Sequence, residues 1–250
     1  MFVPLRDRNS LKTIKFQRVT VGLIAVNTLV YLFGLLAGSD VDSALWGNLG
    51  FVPTHLFKAA SAAPSDWPDW HVPALLTLLT HTFFHENFWH LAGNMLFLWV
   101  FGDNVEDALG SWRFLAFYLI GGLVAGLCEG LVGSNPGLPL IGASGAISAC
   151  IGGYLLLYPR SKIWILLFFR IPVLLPAYWV GIIWVLTQIG FAIFSVAPGT
   201  AWYAHLGGLV TGMILVVVMR RPGVHLFNPA DPKPIPALAA AAAAKEPHAS

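Results

Sequence analysis

Apolar residues in this chain are gathered into long runs separated by short polar stretches. Six of these runs have the dimensions of membrane-spanning segments: Val19 to Ala37, Phe88 to Val105, Phe114 to Leu131, Ser144 to Leu157, Ala177 to Phe194 and Ala201 to Met219. A spanning helix needs about 20 residues, so the fourth is short unless it borrows from Leu138-Pro139-Leu140-Ile141. A further apolar piece, Ile163 to Leu175, is interrupted by Arg170 and Pro172 and reads as the inner approach to the fifth span. The expected fold class is an all-α membrane protein, a bundle of six transmembrane helices.

Composition agrees with that pattern. Hydrophobic residues make up 57% of the 250 and charged residues 10%, with a mean hydropathy of +0.72, values foreign to a soluble domain. The sparse charge is one-sided. Arg6, Arg8, Lys12, Lys15 and Arg18 precede the first span, Arg113 lies between the second and third, Arg160 and Lys162 follow the fourth, and Arg220 and Arg221 follow the sixth. The opposite side offers only Lys58. Positive charge favours the cytoplasm, so both termini are expected there, in a bacterial plasma membrane. The first apolar run is longer than the apolar part of a secretory signal and is followed by further spans, so a cleaved leader is not expected.

This divides the chain into a cytoplasmic segment 1–18, a membrane domain 19–221 and a tail 222–250. Within the domain, residues 38–87 form a long outer connection whose Trp46, Trp67 and Trp70 suit a headgroup-level element. The tail is rich in Pro and Ala and is expected to be disordered. Cys128 and Cys150 sit inside spans without partner spacing, so neither a disulfide nor a zinc knuckle is indicated. A net charge of +2 carries no indication of nucleic-acid binding.

Polar side chains at membrane depth are costly and mark function by default. With alternating spans, the second, fourth and sixth all start at the outer face, and His90, Ser144 and His205 fall near their beginnings. At 1.5 Å of rise per residue they share a depth a few ångströms below the interface. Asn94 follows His90 by four residues and lies on the same face about one turn deeper. A hydroxyl and an imidazole are the parts of a serine nucleophile with its general base. Small residues permit such convergence: Gly142 and Gly145 flank the serine, and Gly208 and Gly212 continue the stripe from His205. Gly122, Gly126 and Gly130 in the third span repeat the spacing with no polar group beside them and read as packing residues.

From about His81 to Met219 the chain resembles the rhomboid family of intramembrane serine proteases. The resemblance rests on His85 and the pair His90 and Asn94, on the stretch Gly102 to Gly110 (GDNVEDALG), on Gly142-Ala143-Ser144-Gly145, and on Ala204-His205-Leu206-Gly207-Gly208 with Gly212. It implies Ser144 as nucleophile, His205 as its base, and His90, Asn94 and the Ser144 amide as an oxyanion hole. It also implies a rhomboid-like six-helix bundle, no cofactor, and single-span membrane proteins as substrates. The fifth span, with Trp179, Phe191 and Phe194, or the loop ending at Phe83-Phe84, would gate their lateral access. Two departures stand out. Leu76-Thr77-Leu78-Leu79 occupies the stretch where members often carry Trp-Arg, and Ser148 stands where some place an aromatic against the histidine.

Independent chemistry points the same way. No carboxylate lies near the start of the fourth or sixth span, so a Ser-His dyad is expected, with Glu129 as a remote influence. Gly142-Ala143-Ser144-Gly145-Ala146 lacks the last glycine of a nucleophile elbow. His85 and His90, five apart, point about 140° away from one another on a helix, which disfavours a shared metal. His81 and His85 read as loop hydrogen-bonding residues. Glu106 is expected to pair with Arg113 or to cap the turn Ala108 to Ser111. Two other classes remain: a non-catalytic rhomboid-like protein that binds or escorts membrane helices, and a proton-relay transporter, against which the absence of an inverted repeat counts.

Overall fold

The computed structural model describes residues 2–57, 72–133, 137–194 and 200–228. In chain order these form β1 (Phe2–Asp7), α1 (Arg18–Ala37), α2 (Ser39–Leu49), α3 (Pro53–Phe57), α4 (Ala74–Thr80) with a 3₁₀ turn at His81–Phe83, α5 (Phe88–Leu109), α6 (Ser111–Val132), α7 (Ser144–Leu157), β2 (Lys162–Leu167), β3 (Ile171–Pro176), α8 (Ala177–Ile193) and α9 (Trp202–Met219). Of the described helices, α1, α6 and α9 are long and apolar enough to cross a membrane by length and composition.

The bundle is built around α7, eleven of whose fourteen residues are buried. Its closest neighbour is α9, and the reason is steric. A Cβ at Gly208 would overlap the Gly145 carbonyl, and one at Gly212 would overlap the Ala149 carbonyl. Two backbones meet where side chains would otherwise hold them apart. Gly122 and Gly126 of α6 likewise face Thr82 with Ala146, and His81 with Leu78, as packing residues should. Gly110 alone joins α5 to α6; at φ 87° its N–H donates to the Glu106 carbonyl at 2.7 Å, closing α5.

α8 differs from the other long helices. Its buried residues, Ala177, Val180, Gly181, Trp184 and Gln188, form one stripe at helical spacing, and most of its remaining surface is open.

One expectation about architecture is corrected. Ile163 to Leu175 does run into the fifth apolar helix, α8, but as an antiparallel hairpin, with register from Lys162↔Pro176 to Leu167↔Ile171. β1 adds to it in the order β1-β2-β3, so the fold is helical with a three-stranded sheet rather than all-α. Phe168 and Phe169, at φ 51° and 56°, make the reversal. Pro172 and Pro176, which cannot donate to a ladder, stand on the edge strand β3, where that defect is tolerated. Segment 1–18 is fastened to the bundle. Asp7 accepts from Tyr154 Oη at 2.8 Å and Asn104 Nδ2 at 3.0 Å, and Asp107 accepts the amides of Lys12, Thr13 and Ile14 at 2.8, 2.7 and 2.7 Å.

Glu106 caps backbone groups of α1, not those of its own turn. Its fully buried carboxylate accepts from the Ser111 hydroxyl at 2.7 Å and from the Val19 and Thr20 amides and Thr20 Oγ1 at 3.1, 2.8 and 2.8 Å. It therefore satisfies the open amides at the start of α1, where a carboxylate is favoured by the helix dipole. Arg113 reaches the Met219 carbonyl instead of Glu106.

The connection 38–87 contains α2, α3 and α4, with Trp46 on α2; Lys58, Trp67 and Trp70 lie outside the described residues. The start of the tail is attached, not loose: the Phe227 and Asn228 amides donate to the Leu156 and Leu157 carbonyls at 2.7 and 2.8 Å. Residues 229–250 lie outside the described residues.

Candidate active site

Each helix that carries a polar candidate begins at the same end of the bundle, and each beginning has its own local cause. Asn87 starts α5 by accepting the His90 amide at 2.9 Å, an ordinary N-cap. The segment before α7 is pinned twice, by a backbone pair between Phe51 and Leu140 at 3.0 and 2.8 Å and by the Gly142 amide donating to the His81 carbonyl at 3.0 Å. Gly142 itself sits at φ 124°, and a Cβ there would meet His90 Nε2 at 2.8 Å, so backbone and neighbour alike require glycine. α9 has no cap from its own sequence; the Glu129 carboxylate of α6 accepts its Ala204 amide at 3.1 Å. The remote influence expected of Glu129 is thus exerted on the helix, one residue before His205.

His90, Ser144 and His205 are the third, first and fourth residues of α5, α7 and α9, which places them within about 4.5 Å of one another in helical rise. Ser144 Oγ lies 2.8 Å from His205 Nε2. On the far side of the ring, His205 Nδ1 lies 2.6 Å from Gln188 Oε1 of α8. Trp184 and Trp202 flank the imidazole, with ring centroids at 6.1 and 5.8 Å, the second at 84° to it. The Ser148 hydroxyl turns away from the histidine and donates to the Ser144 carbonyl at 2.6 Å.

These groups open onto a cavity of about 640 Å³ lined by Ser144, His205, His90, Asn94, Trp46 and Trp184 among others. Asn94 Nδ2 is buried without a hydrogen-bond partner among the described residues. A buried amide donor left unpaired is costly, and this one belongs to a residue that lines the cavity. Ser144, as first residue of α7, has an amide with no partner inside its own helix. Gly145 packs on Ala125 of α6 and holds α7 close without entering the chemistry.

The two loop histidines separate. His81 Nδ1 lies 3.0 Å from the Thr77 carbonyl, a local hydrogen bond of the kind expected. His85 makes none: its ring nitrogens are buried without a partner, and it packs edge-on against His90 at 5.1 Å. Burial and the neighbouring His90 push His85 down to about 3, the Phe83 carbonyl opposing from outside hydrogen-bond geometry, so the ring is neutral.

The sequence reading does not include Gln188. The signal is there, a polar side chain within the fifth apolar run, but the sequence does not show which side chain of another helix it meets.

Residues 73–222, more than half of the chain, match the Rhomboid domain family. The chain belongs to the rhomboid family. Family and apolar helices together make it an integral membrane protein. This rhomboid is 29% identical over 158 residues to Rhomboid protein 1, mitochondrial, of Saccharomyces cerevisiae, covering 58% of this chain and 42% of that one. It is 30% identical over 151 residues to Rhomboid protease GluP of Bacillus subtilis, covering 60% and 27%. Over 109 residues it is 32% identical to Rhomboid protease AarA of Providencia stuartii, covering 44% and 35%. The match spans less than half the length of each of these relatives.

Within this rhomboid the aromatic contacts on the histidine come from Trp184 of α8 and Trp202 of α9. Phe191 of α8 meets Trp202 of α9 edge-on, with ring centroids at 5.3 Å.

Proposed function

We propose that this rhomboid is an intramembrane serine endopeptidase of six spans, with both termini cytoplasmic and residues 19–221 as its membrane domain, cutting single-span membrane proteins near the outer face. The 2.8 Å approach of Ser144 Oγ to His205 Nε2 across two helices, at the edge of a cavity, carries the reading. Support comes also from relatives named rhomboid proteases.

In this mechanism His205 Nε2 takes the Ser144 proton as Oγ attacks the scissile carbonyl carbon. The carbonyl oxygen becomes an oxyanion held by the Asn94 amide, His90 and the Ser144 N–H. His205 then returns the proton to the leaving amine, the C–N bond breaks, and water hydrolyses the acyl-enzyme by the same steps in reverse. Asn94 Nδ2 supports this assignment because it has no other partner among the described residues. Asn94→Ala should lower kcat by roughly 10 to 1,000-fold, since the other donors remain; unchanged turnover would return Asn94 to helix packing.

A membrane helix hides its carbonyls in hydrogen bonds, so a substrate must unwind locally to be attacked. Preferred substrates therefore carry Gly, Pro or Ser near the outer end of the span, with a small residue before the cut. Access runs laterally past α8, whose exposed Trp179, Phe191 and Phe194 face outward, or beneath the loop at Phe83-Phe84. Mass spectrometry of both fragments from a single-span reporter tests topology and chemistry together. Cleavage within about two turns, roughly 11 Å, of the outer interface is the expected result; cleavage at the cytoplasmic end overturns it.

A further inference from the structure

The unassigned polar contact at the site is the one that crosses from α8 to α9. Gln188 Oε1 stands 2.6 Å from His205 Nδ1, its side chain buried at 7% exposure, on the same stripe of α8 as the buried Ala177, Val180, Gly181 and Trp184. A neutral imidazole carries one proton, on either nitrogen. An acceptor at Nδ1 retains the proton there and leaves the Nε2 lone pair directed at Ser144 Oγ, 2.8 Å away. The opposite tautomer would turn Nε2–H toward the hydroxyl, and no proton could be taken from it. In many serine hydrolases a carboxylate selects the tautomer. Here α7 and α8 contain no Asp or Glu, and the Glu129 carboxylate of α6 is engaged by the Ala204 amide.

We infer that Gln188 is a positioning residue that holds His205 in the one tautomer able to act as a base, and that it makes the competence of the base depend on α8 being seated against the bundle. The inference rests on the proposed protease reading. It follows from geometry that a displacement of the α8 stripe withdraws Oε1 from Nδ1 and disarms the site. No other side chain among the described residues hydrogen-bonds Nδ1, and the two flanking indoles fix the ring plane without distinguishing its nitrogens.

The test compares Gln188→Leu and Gln188→Glu in the full chain, in detergent and in vesicles, with Ser144→Ala as reference. The readouts are steady-state cleavage of a single-span reporter and the rate at which a small fluorophosphonate labels Ser144. Gln188→Leu should lower kcat by about 10 to 100-fold, slow labelling in parallel and leave KM within about twofold. Gln188→Glu should recover most of the rate, because a carboxylate also accepts from Nδ1. It should also move the acid limb of the kcat/KM profile to higher pH, because a negative charge beside the ring stabilises the imidazolium. The other titratable groups on the same cavity are His90 of α5 and Glu86 just before that helix, and Glu129 and Cys128 of α6 lie against the adjacent Ala204 and Gly207; all are unchanged in the three variants.

A Gln188→Leu protein that cuts and labels as the parent does, while Ser144→Ala is inert, overturns the inference and leaves the protease reading standing. If Gln188→Leu does not accumulate, the Gln188→Glu profile decides: an acid limb at the parent's pH also overturns it. Undiminished cleavage by Ser144→Ala is the separate outcome in which the protease reading itself fails.

Discussion

Ser144→Ala is expected to reduce cleavage by about 10,000-fold or more, to below detection, with no loss of the folded protein. The substitution removes a single oxygen whose side-chain partner is His205 Nε2, from a turn whose shape is set by Gly142 and by backbone bonds to His81 and Phe51. Nothing in the packing of α7 on α9 depends on it. His205→Ala should fall to the same level, and the double variant no lower, because nucleophile and base act as one unit whose losses do not add. Reporter cleavage, measured beside the thermal unfolding midpoint in detergent, separates chemistry from stability. A Ser144→Ala protein with parental turnover would show that the hydroxyl is a bystander.

The second large effect concerns assembly. Gly212→Leu should prevent α7 and α9 from closing, because even a single Cβ at that position overlaps the Ala149 carbonyl, a backbone atom that cannot rotate aside. Overpacking a well-filled interior typically costs 1–3 kcal/mol, and this contact belongs at or above the top of that range, about 3 kcal/mol or more. The expected readout is a lower unfolding midpoint and loss of cleavage together. Gly212→Ala should fall between the two proteins. Parental stability in Gly212→Leu would mean that the helices do not approach as closely as described.

The chain discloses its helices readily because lipid offers the backbone no partners, so each crossing has to appear as one apolar block. α1 begins at Arg18 and α9 ends at Met219, each within a residue of the hydropathy reading. The Ser144–His205 pair is legible for a related reason: both are polar residues within apolar runs, and both fall near helix starts. The hairpin was not legible. Ile163 to Leu175 is apolar without period, and hydropathy alone cannot separate a buried strand pair from part of a helix. Its third strand comes from Phe2 to Asp7, and no local signal links the two. Asp107 illustrates a similar blindness. Its position in the GDNVEDALG stretch was noted, but its three partners are amides of residues 12–14, and amides are invisible in a sequence. Gln188 differs again, having been in view all along and lacking only its partner.

The pairing of β1 with β2 also has a bearing on biogenesis. Phe2 can meet Leu167 only after the intervening chain has been made, and a ribosome adding about 5–20 residues per second needs roughly 10–30 s for that stretch. Through that interval α1, α5, α6 and α7 are synthesised while the earliest strand waits as an unpaired, apolar edge, the kind of surface on which chaperones and aggregation compete. The sheet is therefore a late seal: a chain stalled before residue 162 would hold the serine helix complete and yet leave its first strand searching for a neighbour.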